Sequence, residues 1–352
     1  MLLYIHIPFC DSKCYYCAFN SYADKIYLKK FYMNALLEQI KFELDRFEVK
    51  KKSIETIFIG GGTPSTIDAY MYEDIFTYIK PYLSNKVEVT TEANPNSATE
   101  KWLQDMNKIG INRISFGVQS FNDKKLKYLG RNHSAKVAIN AIENAKKVGI
   151  VNLSLDLIHG VQKDNKILLK RDLDVAFSLP INHISTYHLS IEKRTKFDKD
   201  KVKNRDIIEE QRWFYEEIEG RGFKQYEISN FGKYICKHNL GYWKHKNYIG
   251  VGAGAVGFLK DRRFYPHKRI DRYIKDPLFA KIEILSKSDI KTEKIFLGLR
   301  SVVGIKKDIF SSDELSRVNI LLKEDKLFQK EDKFYNNDYL LSDEIALFIL
   351  SC

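Results

Sequence analysis

Three of the chain's five cysteines, Cys10, Cys14 and Cys17, fall within eight positions in the spacing Cys-x3-Cys-x2-Cys, directly after an apolar run from Leu2 to Pro8. Clustered thiolates are ligands for soft metals. A structural zinc site takes four ligands, usually as two pairs separated along the chain, and no second pair follows here. A disulfide would leave an odd thiol, and the nine residues ahead of Cys10 are too few for a secretory signal. An iron–sulfur cube normally takes four thiolates, so three leave one iron open to an outside ligand. The spacing predicts such a cube, with a zinc site or a redox-inert cysteine loop as the competing readings.

The elements that must carry this loop are legible from residue 1 to about 190, where short β-branched or aromatic runs alternate with longer helical stretches. That alternation is the pattern of successive βα units. Strands are predicted at Leu3 to Pro8, Glu55 to Ile59, Val87 to Thr91, Arg113 to Val118, Asn152 to Leu157 and His183 to Leu189. Helical periodicity covers Leu28 to Phe47, Ala69 to Leu83, Ser134 to Val148 and Leu168 to Phe177. Six units with one sense of crossover predict an α/β fold, a partial (β/α)6 TIM-like barrel rather than a closed eight-stranded one. Residues 191–276 are expected to complete the barrel. From about Pro277 the sequence turns to charged amphipathic segments, read as a small C-terminal domain over 277–352.

In parallel α/β folds, ligands bind at the carboxyl ends of the strands. The first predicted strand runs into the cysteine loop, and the second ends in Gly60-Gly61-Gly62-Thr63-Pro64. The third ends in Glu92-Ala93-Asn94-Pro95, the fourth in Gly117-Val118-Gln119-Ser120, and the fifth carries Asp156 near its end. Five consecutive strands thus deliver polar or glycine-rich groups to one rim. A glycine triplet alone is only a tight turn; beside a cluster, its missing β-carbons let the backbone approach an amino-acid moiety and accept its ammonium protons. Glu92 could cap the helix that follows, or hold that ammonium group in a charge-assisted hydrogen bond. Gln119 and Asp156 suit ribose hydroxyls, and Arg131 suits a carboxylate in bidentate fashion.

Cys10-x3-Cys14-x2-Cys17 resembles the signature of radical S-adenosylmethionine proteins. Taken with the rim, the chain resembles one group of them, the HemN/HemW or anaerobic coproporphyrinogen III oxidase family. Tyr4-Ile5-His6-Ile7-Pro8-Phe9-Cys10 looks like that group's opening segment, and Gly60 to Pro64, Phe116 to Ser120, Gly130-Arg131 and Asp156-Leu157-Ile158 follow in the family's order. The resemblance implies a [4Fe-4S] cluster whose open iron is chelated by S-adenosylmethionine. Tyr4 would contact that cofactor, Gly61, Gly62 and Thr63 would line its pocket, and Glu92 would bind it. Gln119, Arg131 and Asp156 would serve a second S-adenosylmethionine, where the family has one. Glu293 to Arg300 resembles the start of the family's small helical, winged-helix-like C-terminal domain.

The group holds two different jobs. Oxygen-independent coproporphyrinogen III dehydrogenases decarboxylate two propionates to vinyl groups, whereas HemW-type members are regarded as heme chaperones that pass heme to acceptor proteins. Three features favour the second. Phe19 stands where the oxidase places a further cysteine, only nine residues precede Cys10, and His238-Asn239-Leu240-Gly241-Tyr242-Trp243 looks like the HemW motif His-Asn-x-x-Tyr-Trp. A neutral imidazole is a standard axial ligand to heme iron and aromatic rings stack on a porphyrin face, so His238, Tyr242 and Trp243 are the heme candidates. The plainer alternative is a loop that closes the barrel's open side, and Cys236 is a competing ligand. Departures from the family pattern are His159-Gly160-Val161-Gln162 after Asp156, Val256 in place of a common histidine, and Ile191 to Thr195 in place of a Pro-Gly pair. These weaken the case for a second S-adenosylmethionine and for oxidase chemistry. A heme chaperone is therefore expected, with heme-acceptor proteins, membrane-bound respiratory enzymes among them, and a cluster reductant as partners.

The formal charge is +12, from 58 basic and 46 acidic residues. The excess is lysine scattered over amphipathic helices, so nucleic acid is not an expected partner, and a tRNA-modifying radical enzyme lacks a recognisable RNA-binding module. No run reaches the ~20 apolar residues of a membrane span. A cytoplasmic protein is expected, in a compartment where thiols stay reduced.

Overall fold

The computed structural model describes residues 1–351. Strands β1 (Leu2–Ile7), β2 (Ile54–Gly61), β3 (Leu83–Ala93), β4 (Arg113–Gln119), β5 (Asn152–His159) and β6 (His183–His188) lie side by side in chain order, all parallel. The helices between them cover the sheet, and the buried faces of both form one continuous core. Local chemistry sets the helix ends. The helix Ala135–Lys147 starts after Ser134, whose hydroxyl accepts from Val137 N–H, and Lys166–Ser178 starts after Asn165, whose side chain accepts from Leu168 N–H. The stretch expected as one helix from Ala69 to Leu83 is broken into a 3-10 turn, the helix Glu73–Ile79 and a second 3-10 turn that contains Pro81. Proline cannot continue an α-helical ladder.

Residues 191–284 extend the sheet at both edges. Strands β7 (Lys224–Glu227) and β8 (Asn230–Gly232) form a hairpin, with β8 antiparallel to β6. Strand β9 (Tyr248–Val251) pairs parallel with β1, placing Tyr4 opposite Gly250. Strands β10 (Gly257–Leu259), β11 (Arg262–Tyr265) and β12 (Lys281–Ile284) continue antiparallel from there. The result is a twelve-stranded sheet, open at β12 and β7, whose parallel part counts seven strands because β9 joins the six that the alternation predicts. Since β12 pairs with β11, the large sheet runs past residue 276.

The last part has its own core, built on Ile295, Leu299, Val318, Leu321, Phe334 and Ile345. It runs helix Lys287–Leu299, β13 (Ile305–Lys306), helix Ser312–Lys323, the hairpin β14 (Leu327–Lys330) and β15 (Lys333–Asn336), and helix Ser342–Leu350. Its first two helices open with capping boxes, Ser286 with Asp289 and Ser311 with Glu314. Among the described residues no helix is long and apolar enough to cross a membrane.

Candidate functional site

Beyond β1 the chain enters the cysteine loop, which is pinned from several directions. Tyr22 N–H donates to Pro8 O (2.7 Å) and Cys10 N–H to Tyr22 O (3.1 Å), closing the loop at its base. Tyr15 N–H reaches Leu129 O, Phe197 N–H reaches Tyr15 O, and Asn20 Nδ2 donates to Ala253 O and Lys268 O at 2.8 Å each. Lys13 Nζ donates to Phe19 O inside the loop (2.7 Å). Cys10 is buried, Cys14 and Cys17 are half-buried, and none of the three is in a disulfide. Burial pushes the Cys17 thiol up, against the pull of the Phe19 backbone and the Lys13 charge. The three thiols share one loop but are not drawn into a preformed metal-binding group, and no cluster of three or more such ligands stands among the described residues.

The glycine triplet packs against this loop. Gly62 N–H donates to Ile7 O and Thr63 N–H to Phe9 O, both at 2.7 Å, while Thr63 Oγ1 points at Cys10 Sγ (3.5 Å). A β-carbon on Gly62 would lie 2.7 Å from Phe9 O and 3.1 Å from Cys10 Sγ. Gly61 has φ +115°, and a β-carbon there would meet the His6 ring at 2.5 Å. The missing side chains therefore serve first to seat β2 against the cysteine loop. His6 is a site residue that the sequence reading quoted without giving it a role. Its ring bridges Tyr4 Oη and Asn20 O at 3.0 Å each, and burial holds its pKa down.

Glu92, at the end of β3, accepts Gly61 N–H (3.1 Å), and a β-carbon on Gly60 would crowd its carboxylate at 3.0 Å. It does not cap the following helix, because Thr99 does so by accepting from Trp102 N–H. Burial, with Asp156 nearby, raises its pKa to about 7. Burial and Asp156 outweigh the pull of Arg113 and of the Gly61 N–H on this carboxylate. With Glu92 as the group that would hold the ammonium, as the family resemblance implies, the ionised form is the binding one, and S-adenosylmethionine affinity should strengthen as pH rises from about 6 toward 7.5. Calorimetric titration across that range checks this, and Glu92→Gln should flatten the profile. A wild-type affinity that falls with pH would refute the assignment.

Asp156 accepts from Ser115 Oγ (3.1 Å), and burial raises its pKa against the pull of Ser185, Ser115, Arg113 and Arg131. Gln119 is buried and sits in the left-handed region at φ +71°, a strained position for a non-glycine residue at a strand end. Its amide nitrogen and Arg131 Nη2 both crowd Gly117, at 3.2 and 3.3 Å from where a β-carbon would stand. Arg131 differs from the expected free carboxylate fork. Nη2 donates to Gly117 O (2.6 Å) and Nη1 to Cys14 Sγ (3.3 Å), while the buried Nε has no partner. In this arrangement the guanidinium is an anchor for the cysteine loop. Gly61, Gly62, Thr63, Glu92, Gln119, Arg131 and Asp156 thus stand on one rim around Cys10, Cys14 and Cys17, and the donor set fits a thiolate-held cluster beside an amino-acid ligand.

The His-Asn-x-x-Tyr-Trp segment lies elsewhere. Helix Lys237–Trp243 lies toward the starts of β1 and β2, away from the rim, against Leu2, Thr56 and Glu88, which stand level across β1–β3. His238 is wholly buried, and both ring nitrogens are taken, Nδ1 by Thr56 Oγ1 (2.8 Å) and Nε2 by Tyr242 Oη (3.0 Å). Burial, with Arg113 nearby, lowers its pKa to about 3, so the ring is neutral. In this conformation it offers no nitrogen to a metal. Cys236 is buried beside Glu88, and burial pushes its thiol up to about 12. Trp243 is half-buried, and Tyr242 packs edge-on against Tyr248 at 4.7 Å.

A parallel open barrel with three cysteines after its first strand defines a radical S-adenosylmethionine protein, and residues 4–175 match the Radical SAM superfamily. Curated relatives narrow this further. Heme chaperone HemW of Lactococcus lactis is 34% identical over 86% of this chain and 82% of its own length. The HemW proteins of Bacillus subtilis and Escherichia coli are 35% and 37% identical, covering 88% and 78% of this chain and 85% and 73% of their own. The chain belongs to the HemW family. Among solved structures, Escherichia coli coproporphyrinogen III oxidase (HemN) superposes over 99% of this chain and 90% of its own with a TM-score of 0.83 at 17% identity, a likeness of fold.

Proposed function

We propose that the protein is a heme chaperone, carrying a [4Fe-4S] cluster with S-adenosylmethionine and passing heme to acceptor proteins. One observation carries this reading: the resemblance to HemW heme chaperones spans most of both chains at better than a third identity. Cys10, Cys14 and Cys17 would hold the cluster, and Glu92, Gly61 and the neighbouring rim would hold the amino-acid end of S-adenosylmethionine. Bound there, the pair supplies one-electron reduction of a sulfonium. The residues of the chain hold and shield it: Arg131 steadies Cys14, Thr63 faces Cys10, and Glu92 awaits an ammonium group. Phe19, where the oxidase has its extra cysteine, is 69% exposed on the loop surface. Acceptors would include membrane-bound respiratory enzymes, with a cytoplasmic reductant serving the cluster.

The test is an anaerobic comparison. Reconstituted protein receives heme, or coproporphyrinogen III, in separate reactions with S-adenosylmethionine and a reductant. The expected result is stable heme uptake and transfer to an apo-acceptor, with no carbon dioxide released. Conversion of coproporphyrinogen III to divinyl product would overturn the reading in favour of the oxidase.

A further inference from the structure

A cavity of about 410 Å³ opens between β9–β11 and the helix Lys287–Leu299 of the C-terminal part. Its size falls within the range of small-molecule sites, roughly 300–1,000 Å³. Tyr242, Tyr248, Phe258 and Phe296 give it flat aromatic walls, while Arg263 and Lys246 bring positive charge to its edge. Tyr4 also lines it, and its hydroxyl bonds the His6 ring. A planar, aromatic, iron-bearing ligand with carboxylate arms matches such a lining.

The cavity also contains an imidazole. His245 is 11% exposed, packs edge-on against Phe258 at 4.6 Å, and its Nε2 bonds Glu293 Oε2 at 2.9 Å. Its Nδ1 makes no hydrogen bond among the described residues. A histidine that ligates a metal characteristically gives its second ring nitrogen to a carboxylate, which fixes the ring and raises its basicity. Glu293 is itself held by Arg263. His238 presents the reverse case, with both nitrogens already spent on Thr56 and Tyr242.

We infer that the heme cargo occupies this cavity, with His245 as the axial iron ligand oriented by Glu293, Arg263 kept on Glu293, and a propionate drawn to Lys246. The inference rests on the heme-chaperone reading. Lys246 pairs with Glu55 at 2.7 Å and is 42% exposed, so it can exchange that partner for a propionate without crossing the protein interior.

The full chain is titrated anaerobically with ferric heme, read by the Soret band and by electron paramagnetic resonance. His245→Ala is expected to lose the nitrogen-ligated signature, His245→Cys to acquire a thiolate one, and Glu293→Gln to weaken binding by about 10- to 100-fold. His238→Ala, checked for folding by circular dichroism, is expected to keep the wild-type spectrum. Leu297→Trp fills the cavity from the helix side without touching His245, and should block uptake even if the histidine variants fold poorly. Wild-type spectra in both His245 variants, or full uptake by Leu297→Trp, would overturn the placement while leaving the chaperone reading intact. Wild-type protein that takes up no heme at all would sink both.

Discussion

Replacing Cys10, Cys14 and Cys17 together with alanine is expected to abolish iron retention after anaerobic reconstitution while leaving the fold in place. Most of the loop's ties do not involve the thiols: Tyr22 closes its base, Tyr15 and Asn20 tie it to the rest of the chain, and Lys13 braces it from within, while Cys14 adds only the contact with Arg131. Each substitution removes a small side chain, two of them half-buried, so the metal-free protein should change in stability by no more than about 1 kcal/mol per site. Iron and sulfide assays should fall to background, and S-adenosylmethionine affinity should drop with them because its chelation partner is gone. Undiminished iron loading in the triple variant would place the cluster elsewhere. Collapse of the metal-free fold would show that the thiols, rather than the backbone ties, shape the loop.

The second large effect lies away from the rim. Glu88, buried on β3, accepts from Tyr234 Oη (2.7 Å), Lys237 N–H (2.9 Å), His238 N–H (3.0 Å) and Cys236 Sγ (3.6 Å). One carboxylate therefore holds the whole entry of helix Lys237–Trp243. Glu88→Ala would leave two helix-terminal N–H groups and a tyrosine hydroxyl without acceptors, and would strip a negative neighbour from Arg113, which is 2% exposed. The expected cost is about 3–5 kcal/mol, measured by denaturant titration. Glu88→Gln keeps acceptor capacity and should cost about 1–2 kcal/mol. Equal, small losses in both variants would mean that the helix docks by packing alone. Iron loading should survive in Glu88→Gln, because the cysteine loop stands at the far rim.

The βα alternation and the clustered cysteines were legible because each is written in contiguous residues: a β-branched run, a cap such as Ser134, a spacing of thiols. The rim was legible for the same reason, since strand ends are local features and parallel topology brings them together. What could not be read was pairing between distant segments. Strand β9 has four residues, too few to announce a seventh parallel strand beside β1. Arg131 looked like a fork for a carboxylate, and only the folded chain shows its two terminal nitrogens spent on Cys14 and Gly117. His238 is the sharpest instance. Its neighbours Tyr242 and Trp243 suggest a heme face, yet Thr56, 182 positions away, takes one of its nitrogens. His245 and Glu293, 48 positions apart, carried no local signal at all.

The bond from Asn20 to Lys268 spans 248 positions. On a ribosome adding roughly 5–20 residues per second, about ten to fifty seconds separate synthesis of the cysteine loop from that of its last anchor. Throughout that interval the three thiols are present but the loop is not locked. Metal insertion into the finished geometry must therefore follow release of most of the chain, and the first segment made is among the last to reach its native form.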